Sequence, residues 1–403
     1  MSERPRGGYP AEQRAGPSSP KVEQPPQAPR GKAGDFALDA LPAMDVAGRA
    51  AHVRPQFAEA GIDALLVTHL PNVRYLTGFT GSSAMLLVTA DALVFTSDGR
   101  YRTQVGEQLA AAGVDARVEI GATVAHQRAA LAAALSERSR VGLEAHAVTW
   151  AQQRDLAAVF DGHELVATDG LVERLRRVKE PGEVARIRAA CAIADDALGA
   201  LLPRLAERPT ERDFALDLEV EMRRRGASGN SFDPIIASGP NGAKPHARPS
   251  ARHVERGELV VIDFGCIVDG YCSDMTRTVS VGDPGPDARR VWDVVRESQW
   301  AGREAVRAGA DCAAVDRACR DVIVAAGWGE SFVHGTGHGV GLEIHEEPRV
   351  AASARDTLEA GWIVTVEPGV YLPGVGGVRI EDTVVVTPDG SDPLTEFPKE
   401  LIL

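Results

Sequence analysis

Cysteine is scarce in this chain and comes late. The 403 residues include five cysteines, none before Cys191. That number and placement build no disulfide framework and suit a reducing cytoplasm, the compartment expected here. Positive charge is in deficit: the formal net charge of −13 argues against a nucleic-acid surface, which would need clustered basic residues. No run of the sequence approaches the roughly 18 apolar residues of a membrane span. The N-terminus lacks the apolar core of a secretory signal. Neither nucleic acid nor membrane is therefore an expected partner. The pattern GxSxG is absent, which removes nucleophile-elbow serine chemistry. The glycine-rich HGTGHGVG has no Walker lysine and is no phosphate loop.

What is present has room for two domains and a tail, at 403 residues and 42.7 kDa with 44% hydrophobic residues. Residues 1–35 are mostly proline, glycine and polar side chains that can bury no core. A disordered tail is expected over residues 1–40, with a docking segment as the alternative. Residues 47–60 have an amphipathic helical pattern ending at Gly61, and IDALLVT then reads as a buried strand. NVRYLTGF reads as a turn. SAMLLVT, ALVFTSD, RVEI and RVGLE read as strands, interleaved with the helical YRTQVGEQLAAA and HQRAALAAALSE. This alternation predicts a three-layer αβ domain over residues 41–170. Pro181 marks a new helix start in LVERLRRVKEPGEVARIR, so a boundary is expected between Thr168 and Glu183.

Five potential metal ligands follow in short motifs: Asp263 in VVIDFG, Asp274 in YCSDMTRT, His338 in HGTGHGVG, Glu367 in VTVEPG and Glu381 in VRIEDT. Four carboxylates and one imidazole can hold two divalent ions if two carboxylates bridge them, and such a pair activates water and polarises a carbonyl. Asp269-Gly270 is a strong hairpin turn signal between two apolar strands. With that turn, Asp263 faces Thr276, and Asp274 becomes a diagonal neighbour of Asp263 on one face. Cys272 then faces Ile267 and Cys266 points to the other face, so no disulfide joins them. Cys272 reads as a small buried residue rather than a ligand. A second hairpin is expected from Trp362–Glu367 and Val378–Val386, joined by PGVYLPGVGG. Each hairpin carries one carboxylate per strand and follows a long helical stretch, which suggests two similar αβ halves around one site. No direct sequence repeat relates them.

The ordered set NGAKPHARPS, DFGCIVDGYCSDMTRT, HGTGHGVGLEIHEEP, TVEPGVY and GGVRIEDT resembles the pita-bread metallopeptidases, and among them the Xaa-Pro peptidases, aminopeptidase P and prolidase. The likeness spans roughly residues 45–403. It implies an α/β protein with a pita-bread catalytic domain over residues 171–403, preceded by a creatinase-like N-terminal αβ domain over 41–170. Catalytic-domain helices are expected near 182–202, 210–226, 286–308 and 311–326. In that family the N-terminal domain packs against a partner subunit, so a homodimer is implied. The five ligands are all in place, which disfavours a metal-free, non-catalytic pita-bread binding protein.

His246, alone in a proline-rich loop, would read as a solvated residue. The resemblance gives it substrate binding and proton handling instead. His334 and His338 stand four apart, but the glycines at 335, 337, 339 and 341 argue against a helical zincin pair. His338 is taken as the ligand and His334 as a substrate-pocket group. His345 resembles the family histidine that hydrogen-bonds the scissile carbonyl region, and Glu367 the proton shuttle. Arg379, two residues before Glu381, shares its strand face and should orient a ligand carboxylate. Arg349 matches an arginine that captures the free carboxylate of a dipeptide in compact prolidases, with a rim salt bridge as its alternative.

The resemblance thus implies two divalent ions per chain. Oxygen-rich ligation suits manganese, with cobalt or zinc as alternatives. The expected activity is release of the N-terminal residue from short peptides with proline in second position, or strict Xaa-Pro dipeptide cleavage. Methionine aminopeptidase activity is disfavoured by the extra N-terminal domain and the IHEEP histidine. Removing residues 1–35 should leave turnover and melting temperature unchanged, because the segment buries nothing. A loss of several degrees on thermal unfolding would show instead that the tail docks on the folded body.

Overall fold

The structure, a computed structural model, describes residues 38–403. The tail expected over residues 1–40 lies outside them, save for Leu38–Ala40. A six-stranded sheet comes first, formed by β1 (Ala64–Val67), β2 (Ala84–Thr89), β3 (Leu93–Ser97), β4 (Arg117–Ile120), β5 (Arg140–Glu144) and β6 (Glu164–Thr168). Its order is β4-β3-β2-β1-β5-β6, and β1 runs antiparallel to β2 but parallel to β5. The alternation along β1 explains the layering. Leu65 and Val67 point into one core with Val53, Leu76 and Val105, while Ala64 and Leu66 point into another with Leu131, Leu156 and Phe160. Helices therefore cover both faces, as the three-layer expectation requires.

NVRYLTGF, expected as a turn, is instead largely helix: Leu70–Thr77 is helical. Pro71 stands in its first turn, where its missing N–H costs nothing, and Gly78 closes it in the left-handed conformation. Those two signals bracket a helix too short for its periodicity to show.

The remaining strands are β7 (Gly229–Asn230), β8 (Ile235–Ser238), β9 (Leu259–Phe264), β10 (Cys266–Val268), β11 (Tyr271–Cys272), β12 (Met275–Ser280), β13 (Gly337–Gly339), β14 (Glu346–Val350), β15 (Ile363–Val366), β16 (Gly369–Leu372), β17 (Gly376–Arg379), β18 (Asp382–Val386) and β19 (Ser391–Pro393). They fall into two similar groups. In the first, helices Pro181–Leu201 and Glu211–Arg224 pack Leu198, Phe214, Leu218 and Met222 on Ile236, Val260 and Ile262. In the second, helices Pro286–Ala305 and Cys312–Ala325 pack Trp292, Val295, Val315 and Ile323 on Val364, Val378 and Val384. Each half is thus two helices laid on a curved hairpin.

The first hairpin has the register read from the sequence: Asp263 pairs with Thr276, Ile267 with Cys272 and Val268 with Tyr271. Asp269 (φ 44°) and Gly270 (φ 79°) both sit at positive φ, as a type I′ turn demands. Arg74 and Arg186 hold the Asp269 carboxylate at 2.8 and 2.6 Å. The second hairpin departs from expectation. Its supposed joining loop is mostly strand, since β16 pairs with β17 in the register of β15 with β18. The ladder breaks between them, and Glu367 and Glu381 occupy the break. All five cysteines are free and buried, which fits Cys272 as a small core residue.

Candidate metal centre

The two hairpins meet edge to edge, with Glu381 N donating to Thr276 O at 3.1 Å. Asp263 is the penultimate residue of β9, and Asp274 lies just before β12, diagonal to it. Glu367 and Glu381 face each other where the second ladder opens, and β13 brings His338 beside β15 through the Gly339–Val364 pair. His338 Nε2 lies 3.5 Å from Asp274 Oδ2 and 3.5 Å from Glu367 Oε1. One ligand atom from each of Asp274, His338 and Glu381 falls within 4.8 Å of the others.

Four carboxylates here share one guanidinium. Arg379 pairs with Asp263 and approaches Glu367 at 3.9 Å. The remaining charge is uncompensated although Asp274 is 5% and Glu381 1% exposed. Burial, then the neighbouring carboxylates, push Asp274 and Glu381 well above the usual carboxylate range. Burial likewise lifts Glu367 to about 8. Asp263 Oδ1 and Glu381 Oε1 are buried with no hydrogen-bond partner. Orphaned acceptors crowded into one small space are what a cation would satisfy.

The imidazole fits the same reading. His338 Nδ1 lies 3.0 Å from the Gly339 carbonyl, which can only accept, so Nδ1 carries the proton and Nε2 presents its lone pair to the carboxylates. Burial depresses its pKa to about 4, which keeps the ring neutral. The set of four carboxylates and one neutral imidazole therefore fits divalent metal.

Hydroxyls steer the carboxylates. Thr276 Oγ1 accepts from Arg379 Nε at 3.1 Å and donates to Glu381 Oε2 at 2.7 Å. Thr365 Oγ1 accepts from His338 N at 3.1 Å and lies 3.4 Å from Glu367 Oε1. Tyr371, buried, accepts from Arg379 Nη1 at 2.7 Å and meets His334 Nε2 at 2.9 Å. His334 Nδ1 is committed to the Gly335 carbonyl at 2.7 Å, so Tyr371 is the donor to Nε2. Thr276 was visible in the sequence as the residue opposite Asp263. Tyr371 carried no such signal.

All ten site residues expected from the sequence line one cavity of about 1450 Å³. His345 stands edge-on to His338, with ring centroids 4.4 Å apart. His246 is exposed at the cavity, next to Pro245, whose carbonyl accepts from Arg379 Nη1 at 3.2 Å. Arg349 lies opposite His338 across the β13–β14 pair and is exposed. Its expected alternative, a rim salt bridge, does not occur among the described residues.

Two family models match this chain. Residues 185–388 match metallopeptidase family M24, and residues 49–178 match the creatinase/prolidase N-terminal domain. The uncharacterized peptidase YqhT of Bacillus subtilis is 39% identical, over 87% of this chain and 98% of its own length. An Xaa-Pro dipeptidase from Bacillus anthracis superposes with a TM-score of 0.84 at 38% identity, covering 89% of this chain and 100% of that one. An X-Pro aminopeptidase from Thermotoga maritima gives 0.79 at 32% identity, covering 87% and 100%. The fold is thus that of pita-bread prolidases, with α/β halves around the ligand cluster.

The unmatched carboxylates predict how metal-free protein responds to pH. Glu367 has a raised pKa in the fold, so its stabilising proton is fully held below about 4.5 and lost as pH rises through about 8. His334 and His338 have depressed values, so their opposite contribution is complete above 6.5. Between about pH 6.5 and 8 the melting temperature of stripped protein should therefore fall. Saturating Mn²⁺ should flatten or reverse that slope, because a cation favours the charged carboxylates. A stripped protein with a flat profile in that window would contradict the account.

Proposed function

We propose that this chain, which belongs to metallopeptidase family M24, cleaves the bond between an N-terminal residue and a following proline, in dipeptides and in short peptides alike. The observation that carries this reading is one cavity that joins an uncompensated carboxylate cluster to His246, His334, His345 and Arg349. The relatives named for Xaa-Pro or X-Pro cleavage support it.

Two divalent ions held by Asp263, Asp274, His338, Glu367 and Glu381 would supply an activated water and a Lewis acid. Manganese suits so oxygen-rich a set, with cobalt or zinc as alternatives. The protein's own groups then divide the remaining work. Arg379 fixes Asp263 and, through Thr276, the rotamer of Glu381, so the ligand oxygens are oriented before substrate arrives. Glu367 Oε1, 3.5 Å from His338 Nε2, takes the proton from the attacking water and returns it to the departing amine. His345, at the edge of the cluster, donates to the carbonyl oxygen before proline, where negative charge develops. His246 faces the same space from its proline-rich loop and handles the proline side of the bond. The Tyr371 hydroxyl keeps His334 in one tautomer and one orientation in the pocket wall.

Strict dipeptide cleavage is the second reading, and Arg349 favours it: an exposed cation lining the cavity, without a carboxylate partner among the described residues, can hold a substrate's terminal carboxylate. The size of the cavity favours the broader one. The complete ligand set speaks against a non-catalytic binding protein. Five free cysteines fit a cytoplasmic location, and among the described residues no helix is long and apolar enough to cross a membrane.

Rates on Ala-Pro and Ala-Pro-Ala separate the readings. If Arg349 clamps the carboxylate, Arg349→Ala should lower kcat/KM for Ala-Pro by about tenfold, the low end for a charge-assisted contact because the site is exposed. Ala-Pro-Ala should barely change. Equal, small changes on both substrates would make Arg349 a rim residue, and a clear preference for peptides of five or more residues would overturn the clamp.

A further inference from the structure

His345 has no hydrogen-bond partner among the described residues. Its ring rests edge-on against His338, and its place is otherwise set by the backbone that carries it. That backbone, residues 341–345, is a run of bends that leads into β14 at Glu346. Gly341 N bonds back to Glu343 O at 3.1 Å, and Glu343 N to Glu346 Oε1 at 3.2 Å. Backbone contacts hold the loop's two ends, through Cys272 N to Gly341 O at 2.8 Å and the Gly339–Glu346 pair, and between them the side chains of Glu343 and Glu346 fix where it lies.

Both acids are gripped from outside the catalytic halves. His69 follows β1 in the N-terminal sheet and caps helix Leu70–Thr77, and its Nε2 lies 3.0 Å from Glu343 Oε1. Arg176, buried in the short helix Glu173–Arg177, donates through Nη2 to Glu343 and Glu346 and through Nη1 to Asn72 Oδ1 at 2.8 Å. Lys179 Nζ reaches Glu346 Oε2 at 3.0 Å. The ends of β1 and β5 support His69 in turn: its backbone N donates to the buried Glu144 carboxylate at 2.8 Å. Its ring meets His146 edge-on at 5.4 Å, and His146 pairs with Glu173 at 3.0 Å. Arg176 holds Asn72, Glu343 and the buried Glu346 at once, so its removal would disturb several contacts together. His69 is half-buried and spares the core.

We propose that His69 is a positioning residue for His345: by holding Glu343 across the domain seam, it fixes the loop that aims the imidazole at the substrate carbonyl. The N-terminal domain thereby contributes to catalysis within its own chain, through a residue that lines the same cavity. The inference rests on the role of His345 proposed above. A group that aims a transition-state donor acts on kcat more than on KM.

The test uses the full-length, Mn²⁺-loaded protein with Ala-Pro, and compares wild type, His69→Ala and His69→Gln, whose amide can still donate to Glu343. His69→Ala should lower kcat about fivefold, the size expected for a partly exposed ion pair, with KM within twofold. His69→Gln should recover most of the loss. Hydrogen exchange at residues 341–346 should quicken about fivefold in His69→Ala and return toward wild type in His69→Gln, with exchange elsewhere in the catalytic domain unchanged. Unchanged exchange at 341–346, or His69→Gln no better than His69→Ala, overturns the proposal. If wild type fails to cleave Ala-Pro, the Xaa-Pro reading falls by itself. The exchange comparison still decides whether His69 holds the loop.

Discussion

Two adjacent acids, Glu381 in the break of the second ladder and Asp382 at the start of β18, have opposite fates, and the contrast organises the catalytic half of the molecule. Asp382 is fully buried, yet it is matched: Arg277 lies at 3.1 Å, Lys399 at 2.6 Å and Gln299 at 3.0 Å. Burial alone would raise its pKa, but Lys399 and Arg277 carry it down to about 2. Glu381, one residue before it and facing the other way, has Thr276 as its donor and one orphaned oxygen. With Asp263, Asp274 and Glu367 it forms a carboxylate cluster that, among the described residues, Arg379 alone offsets. A fold that pairs Asp382 so thoroughly leaves most of this cluster's charge unmatched, which costs stability unless protons or cations offset it.

The surrounding architecture serves that cluster. Two hairpins, each backed by two helices, supply carboxylates in different ways. In the first they are diagonal neighbours in one register, with Asp274 at the gap between the β10–β11 and β9–β12 pairs; in the second they stand opposite each other where the ladder opens. The break frees both Glu367 and Glu381 to turn inward without a register slip, since β16–β17 and β15–β18 keep one register. Arg277 ties the assembly to the C-terminus, donating to the Phe397 carbonyl as well as to the backbone of Glu381. Rigidity at the ligands thus comes from backbone ladders and hydroxyl bridges, whereas His345 depends on a loop held by charges across the seam.

How much of this was legible in the sequence follows from the range of each contact. Asp269-Gly270 fixes a local turn, and period-two alternation then places Asp263, Thr276 and Asp274 correctly, because every step is a neighbour relation. Arg379 beside Glu381 was legible for the same reason. The second hairpin misled, because PGVYLPGVGG reads as loop by composition while its outer residues complete a ladder that pairing, not propensity, stabilises. Helix Leu70–Thr77 was missed because two turns show no period, although Pro71 and Gly78 marked its ends. Tyr371 and the His69–Glu343 pair join residues far apart in the chain, and neither carries a local signature. The motif resemblance supplied roles for His246, His345 and Arg349 that spacing alone could not.

If the crowded carboxylates hold two cations, direct metal titration shows it most simply. Stripped protein titrated with Mn²⁺ or Co²⁺ should take up two ions per chain at saturation, with a rise in melting temperature. Asp274→Ala or Glu381→Ala should lose that stoichiometry. Saturation at one ion or none, with the wild-type fold intact, would contradict the account.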